Sequence, residues 1–148
     1  MKITVLGAGA WGTALARLLH EGGHAITLWG YFPDQLEEIR KTGRNERYLP
    51  GIELSRDWVI QPDLNLASAG SEVLVVAVPS KAFRKVTSHL ADYRGTVISV
   101  TKGIEYDSGL TMCGVLSETA PQARHAAMSG PTLALEVARG IPTAIVAA

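Results

Sequence analysis

The sequence predicts an α/β fold, a doubly wound and mostly parallel sheet with helices on both faces, on three observations. Apolar runs of strand length alternate with amphipathic runs of helix length along the whole chain. The run over residues 73–78 is valine-rich and contains no polar residue, the composition of a parallel strand buried on both faces. A glycine pattern, Gly7-Ala8-Gly9-Ala10-Trp11-Gly12, lies between the first strand run and the first helix run. Repeated β-α-β order with buried strands is the signature of such a sheet.

The elements follow in order. Residues 3–6 form the first strand run, and residues 11–20 place Ala14, Leu15, Leu18 and Leu19 at helical spacing. Gly22-Gly23 stops that helix, since glycine is the usual residue at a helix C-terminus. Residues 25–29 read as a second strand, and Pro33-Asp34 opens a helix that ends near Gly43. Residues 44–62 carry prolines, a glycine and scattered apolar residues, which predicts a loop with a short strand around residues 58–60. After the strand over 73–78, Pro79 closes it and residues 81–90 read as a helix. Residues 96–100 repeat the strand pattern, 110–119 the helix pattern, and 126–128 begin a further strand. The last residues, 142–148, look like one more strand running into the C-terminus, so the chain is expected to be a truncated piece of a longer protein.

With 148 residues the chain is one domain's worth of protein. Its 47% hydrophobic and 19% charged residues exclude a disordered, collagen-like or coiled-coil chain. Fourteen basic and fourteen acidic residues balance to zero net charge, so no nucleic-acid partner is expected. The single cysteine, Cys113, excludes an internal disulfide or a cysteine-based metal cluster and reads as a buried, inert thiol. His20, His24, His89 and His125 show no metal-ligand spacing, and no metal is expected. Neither a signal peptide nor a membrane-spanning run is visible, so no membrane insertion and a cytoplasmic setting are expected.

The glycine pattern is weak alone and gains force from its place between a strand and a helix. Gly7 permits the tight turn, Gly9 lets a pyrophosphate approach the backbone, and Gly12 lets helix and strand pack closely. Unpaired amides and the positive end of the helix dipole would then hold the phosphates. An NAD site usually places an acid about 20 residues further on, at the end of the second strand. Here Trp29 is followed by Gly30, Tyr31, Phe32 and Pro33, with no acid before Asp34 and no arginine for a 2′-phosphate. Tyr31 is placed to line the adenosine pocket, or, with Phe32, to be an ordinary aromatic at the edge of the core. Arg44 and Arg47 are the nearest cations for a 2′-phosphate.

The segment from Gly7 to Ala16, together with Leu28-Trp29 and Asn45 through Tyr48-Leu49-Pro50-Gly51, resembles the bacterial NAD(P)-dependent glycerol-3-phosphate dehydrogenases. So do Ala77-Val78-Pro79-Ser80, Thr101-Lys102-Gly103-Ile104-Glu105, the run from Ser129 through Gly130-Pro131-Thr132 to Ala138, and Gly140 through Ala144. These motifs occur in the family's order and cover essentially the whole chain. The resemblance implies a Rossmann-like fold and reversible reduction of dihydroxyacetone phosphate to sn-glycerol 3-phosphate, a precursor of glycerophospholipids. It implies that Ala10, Trp11, Tyr31 and Ala134 contact NAD or NADP, and that Gly130 and Thr132 meet the substrate. Lys102 would contact both. Tyr31 departs from the basic residue that many relatives carry nearby, which leaves the cofactor preference open.

The chemistry agrees with that placement. Pro79-Ser80 and Lys102 follow the carboxyl ends of predicted parallel strands, where open α/β sheets bind ligands. A cation there would stabilise the alkoxide-like charge that develops as hydride arrives. The plainer reading of Lys102 is a solvated loop lysine. Gly130-Pro131-Thr132 is expected to open a helix capped by the Thr132 hydroxyl, either at a phosphate or as a plain N-cap turn. The resemblance also implies a further helical domain after residue 148. That domain would carry a second lysine as general acid/base, and an arginine and an asparagine that grip the substrate phosphate. Residues 1–148 are then an incomplete unit that binds the dinucleotide and turns over poorly or not at all, and the full-length protein is a possible homodimer. Two other readings stand beside this one: another β-hydroxyacid or ketopantoate-type reductase, and a dinucleotide-sensing module without chemistry, which would have no use for Lys102.

Overall fold

The computed structural model describes residues 1–148. Strand β1 (Lys2–Leu6) is central, flanked by β2 (Ala25–Trp29) on one side and β6 (Val73–Val76) on the other, both parallel to it. Beyond β2 lies the two-residue β5 (Val59–Ile60). Beyond β6 lie β7 (Thr96–Ser99), β8 (Arg124–Ser129) and β9 (Val146–Ala147), giving the order β5-β2-β1-β6-β7-β8-β9. Only β9 runs antiparallel, against Met128 and Ser129 of β8. The chain therefore builds outward from β1 in one direction, then returns to build in the other. Between β1 and β6 the order reverses, and this switch opens a crevice at the carboxyl ends of the strands.

Both faces of the sheet are covered, which explains the continuous apolar strands. Ile3 and Val5 of β1 and Val75 of β6 face a first core with Ala14, Leu15 and Ala16 of helix α1 (Ala10–Glu21). Leu6, Leu74 and Val76 face a second core with Phe83 and Val86 of α4 (Ser80–Thr87) and Val115 and Leu116 of α5 (Met112–Thr119). Thr4 is the polar residue inside β1, and its Oγ1 donates to the Ala67 carbonyl at 2.7 Å.

Residues 44–62 hold more structure than a loop. Strands β3 (Arg44–Asn45) and β4 (Leu49–Glu53) form a short antiparallel ribbon whose register shifts between Arg44 and Asn45. The ribbon follows α2 (Pro33–Thr42), which ends at Gly43 with φ 68°. Leu49, Ile52, Leu54 and Trp58 bury themselves in the first core, and this docking holds the ribbon in place. Helix α3 (Leu64–Ser68) was not expected, although Asp63 caps it by accepting from the Leu66 amide at 2.8 Å. The helix expected over 81–90 begins one residue earlier and finishes as a 3-10 turn over Ser88–Leu90. The strand expected over 73–78 ends at Val76, where the backbone turns into the crevice.

Phe83 is fully buried at the centre of the second core. Phe83→Ala is expected to lower stability by about 3–5 kcal/mol, the usual cost of an aromatic-sized cavity, measured by urea unfolding.

Candidate functional site at the topological switch

A cavity of about 540 Å³ occupies the crevice at the carboxyl ends of β1, β6 and β7, a size typical of small-ligand sites. Gly7, Gly9, Ala10 and Trp11 form one wall, and Val78, Pro79 and Ser80 a second. Lys102 and Thr132 close it further along. No carboxylate lines it.

The three glycines of the loop differ in what surrounds them. Gly7 has φ 128°, and a β-carbon on it would lie 2.6 Å from the Ala77 carbonyl oxygen. One on Gly12 would overlap the Gly7 carbonyl oxygen. These two positions are fixed by packing. Gly9 is different: a β-carbon there meets nothing within 4 Å, because that side faces open cavity. Thr13 is the first amide of α1 with a backbone acceptor, the Gly9 carbonyl at 3.0 Å. The N–H groups of Ala10, Trp11 and Gly12 have no backbone partner, and no acidic side chain sits in the first turn. An anion therefore finds unpaired donors and the positive end of α1 in one place. A phosphate-bearing dinucleotide fits this loop.

A buried polar network holds the loop from behind. Asn45, 1% exposed, donates through Nδ2 to the Ala8 carbonyl at 2.9 Å and to Thr13 Oγ1 at 2.8 Å. Gln35 donates through Nε2 to the same carbonyl and to Asn45 Oδ1 at 3.2 Å. A planar trans peptide points its C=O and N–H in opposite directions, so anchoring the Ala8 carbonyl turns the Gly9 N–H away from the network. Sequence reasoning assigned neither residue a role. Gln35 left a trace, since it shares the buried face of α2 with Leu36 and Ile39, where a polar side chain needs a partner.

Lys102 is exposed and lines the cavity, and its Nζ donates to the Gly130 carbonyl at 3.2 Å. The loop that carries it is tied at both ends. Thr101 Oγ1 donates to the Val78 carbonyl at 2.7 Å, joining this loop to the one after β6. On the far side, Arg84 of α4 makes a two-pronged ion pair with Glu105, at 2.8 Å to Oε1 and 2.7 Å to Oε2, and reaches Glu118 of α5 at 2.7 Å. Hydrogen bonds from Arg84, then from Ser108, pull the Glu105 carboxyl down to about 2, and the same pairing raises Arg84.

The remaining predicted residues divide. Ala134 and Thr132 line the cavity, and so does Tyr31, at its rim and 67% exposed, edge-on to Phe32 at 5.4 Å. Gly12 and Gly130 do not. A β-carbon on Gly130 would approach the Ala144 carbonyl oxygen to 2.5 Å, so packing against the C-terminal segment accounts for this glycine. The expected Thr132 cap is not formed. Leu133 holds the N-cap position of α6 (Ala134–Ala138) without a side-chain hydrogen bond, because the helix starts one residue too late for the hydroxyl. Cys113 is half-buried, and burial raises its thiol pKa.

Two outcomes follow from these anchors. Asn45→Ala leaves the Gln35 amide and the Thr13 hydroxyl short of partners, and is expected to cost about 1–3 kcal/mol in urea unfolding. The Glu105 carboxyl is lower in the folded chain than its ordinary value, so its stabilising effect is full above about pH 4.5 and is lost as pH falls toward 2. Glu105→Gln is expected to flatten that part of the stability–pH curve, measured by urea unfolding across the acid range.

Comparison with known proteins agrees with this geometry. The family model described as the NAD-dependent glycerol-3-phosphate dehydrogenase N-terminus matches residues 2–148. The glycerol-3-phosphate dehydrogenase [NAD(P)+] of Carboxydothermus hydrogenoformans is 44% identical over 151 residues, covering 99% of this chain and 45% of the relative. That of Syntrophotalea carbinolica is also 44% identical, covering 100% of this chain and 46% of the relative. The crystal structure of glycerol-3-phosphate dehydrogenase from Coxiella burnetii superposes with a TM-score of 0.92 at 35% identity, over 99% of this chain and 46% of that one. The chain thus spans about half the length of the curated relatives it matches. A glycine loop with unpaired amides, a lysine on the same crevice and a match over nearly every residue lead to one assignment: the chain belongs to the family of the NAD-dependent glycerol-3-phosphate dehydrogenase N-terminus.

Proposed function

We propose that residues 1–148 are the dinucleotide-binding domain of an enzyme that reversibly reduces dihydroxyacetone phosphate to sn-glycerol 3-phosphate with NAD or NADP. The product would feed glycerophospholipid synthesis. The observation that carries this reading is that Lys102 and the glycine loop line the same cavity in a chain of this family.

In this reading the amides of Ala10 and Trp11 and the bare Gly9 backbone hold the pyrophosphate. Tyr31 lies beside the adenosine, and Ala134 borders the cofactor further along. The bound dinucleotide supplies or accepts the hydride. Lys102 acts on the substrate: its ammonium, now resting on the Gly130 carbonyl, would donate to the substrate oxygen and stabilise the charge that builds there. Thr132 and the Gly130 backbone border the glycerol phosphate. The tie from Thr101 to Val78 and the Arg84–Glu105 pair hold the lysine loop in register with the cofactor wall. Proton transfer to the new hydroxyl is assigned to a group outside residues 1–148, so this chain alone turns over poorly. A small-molecule site and the absence of any helix long and apolar enough to cross a membrane accord with a cytoplasmic enzyme.

The test is an assay of the intact protein for dihydroxyacetone phosphate-dependent oxidation of NADPH and NADH. Substrate-dependent oxidation is expected, and Lys102→Ala is expected to lower kcat by roughly 10²–10³-fold without loss of folding. Undiminished turnover by the variant removes Lys102 from the chemistry. Absence of turnover by the unaltered protein overturns the assignment.

A further inference from the structure

Side chains from two separate elements converge on one carbonyl oxygen behind the glycine loop. The Ala8 carbonyl accepts from Asn45 Nδ2 at 2.9 Å and from Gln35 Nε2, so both of its lone pairs are occupied. Asn45 belongs to β3 and Gln35 to α2. Each amide nitrogen spends its second hydrogen inside the network, Asn45 on Thr13 Oγ1 at 2.8 Å and Gln35 on Asn45 Oδ1 at 3.2 Å. Both side chains are buried. The Gly9 N–H, on the other side of the same peptide, has no partner in the protein.

The residue type at position 9 permits this peptide to turn over. The movement changes ψ of Ala8 and φ of Gly9 by about half a turn each, because the peptide rotates as one plane. Gly9 has φ −75°, so the movement carries it into the positive range, which glycine accepts without strain. Turned over, the peptide would aim the Ala8 oxygen, the negative end of its dipole, at the cavity beside the first-turn amides of α1. It would repel the anion that these amides attract. It would also leave two buried amide donors facing a third, the Gly9 N–H. We infer that Asn45 and Gln35 are positioning residues for the dinucleotide, locking the Ala8–Gly9 peptide with its N–H toward the pyrophosphate and suppressing a turned-over, non-binding form of the loop. This inference rests on the dinucleotide reading above and adds to it the residues that set the binding-competent form.

The test combines binding, turnover and one amide resonance, on the intact protein and on its Gln35→Met and Asn45→Ala variants. Gln35→Met keeps the length of the side chain and removes its donors, and unfolding midpoints check that both variants fold. In each variant Kd and KM for NADH and NADPH are expected to rise about tenfold, which corresponds to a competent fraction of roughly one in ten. The kcat is expected to stay within about twofold, because saturating cofactor draws the loop back to its competent form. A residue that only supported the fold would lower the unfolding midpoint and leave these constants alone. The Gly9 amide signal in heteronuclear NMR reports the peptide directly. The unaltered, unliganded protein is expected to give one signal without millisecond exchange. The variants are expected to give a shifted or exchange-broadened signal that meets the unaltered one when both are saturated with NADPH. Unchanged affinity in both folded variants overturns the inference, and so does a fall in kcat with KM unchanged. Exchange at Gly9 in the unaltered protein overturns it as well, whether or not the variants fold. Failure of the unaltered protein to bind either dinucleotide is a different result: it overturns the dinucleotide reading itself, and this inference with it.

Discussion

The near-contact between helix α1 and the Gly7 carbonyl is the constraint on which the rest of this structure depends. A β-carbon at Gly12 has no room, and one at Gly7 would press on Ala77. Because both are absent, α1 starts after only three intervening residues from the end of β1 and lies directly over the sheet. That closeness seals the first core with Ala14 and Ala16, both completely buried. It also brings the unpaired amides of the first turn to the switch point, where the strand ends leave a crevice. Packing and ligand-binding capacity thus arise from the same omission of side chains.

The walls of the crevice are held by different physics. The glycine loop is fixed by a buried neutral network, in which two amide side chains share one carbonyl oxygen. The lysine loop is fixed by charge, through Arg84 spanning Glu105 and Glu118. A neutral network next to an anion site leaves the positive field of the helix end intact, whereas a buried carboxylate there would cancel it. On the lysine side the carboxylates sit behind the loop and outside the cavity, so the ammonium of Lys102 faces inward without a competing partner of opposite charge.

Most of the sheet was legible in the sequence because strands buried on both faces must be apolar throughout, as residues 73–78 are. The glycine loop was legible because its residue types are dictated by backbone clearance. The ribbon of β3 and β4 was not. Pro50 and Gly51 read as breakers, and its stability comes from Leu49 and Ile52 docking on a distant core, which no local pattern records. The Thr132 cap failed for a related reason: the start of α6 is set by packing of Ala134, Leu135 and Ala138 against the first core and not by the nearest hydroxyl. Asn45 was recognised as part of a family motif, but its partners lie 37 and 32 residues away, and only the fold shows that it is a support for the loop.

That separation has a consequence for how the molecule comes into being. The loop at residues 7–12 is among the earliest segments of the chain, and its Gly7 amide already needs the Trp29 carbonyl of β2 as a partner. Its Ala8 carbonyl, however, stays without its buried donors until α2 has formed and the ribbon has closed on β4, which ends at Glu53. Closing a loop of that length carries an entropic cost that is recovered only when the ribbon docks. The loop is therefore an early segment of the chain whose supports come from later ones, and its final geometry depends on completion of the whole first half of the sheet.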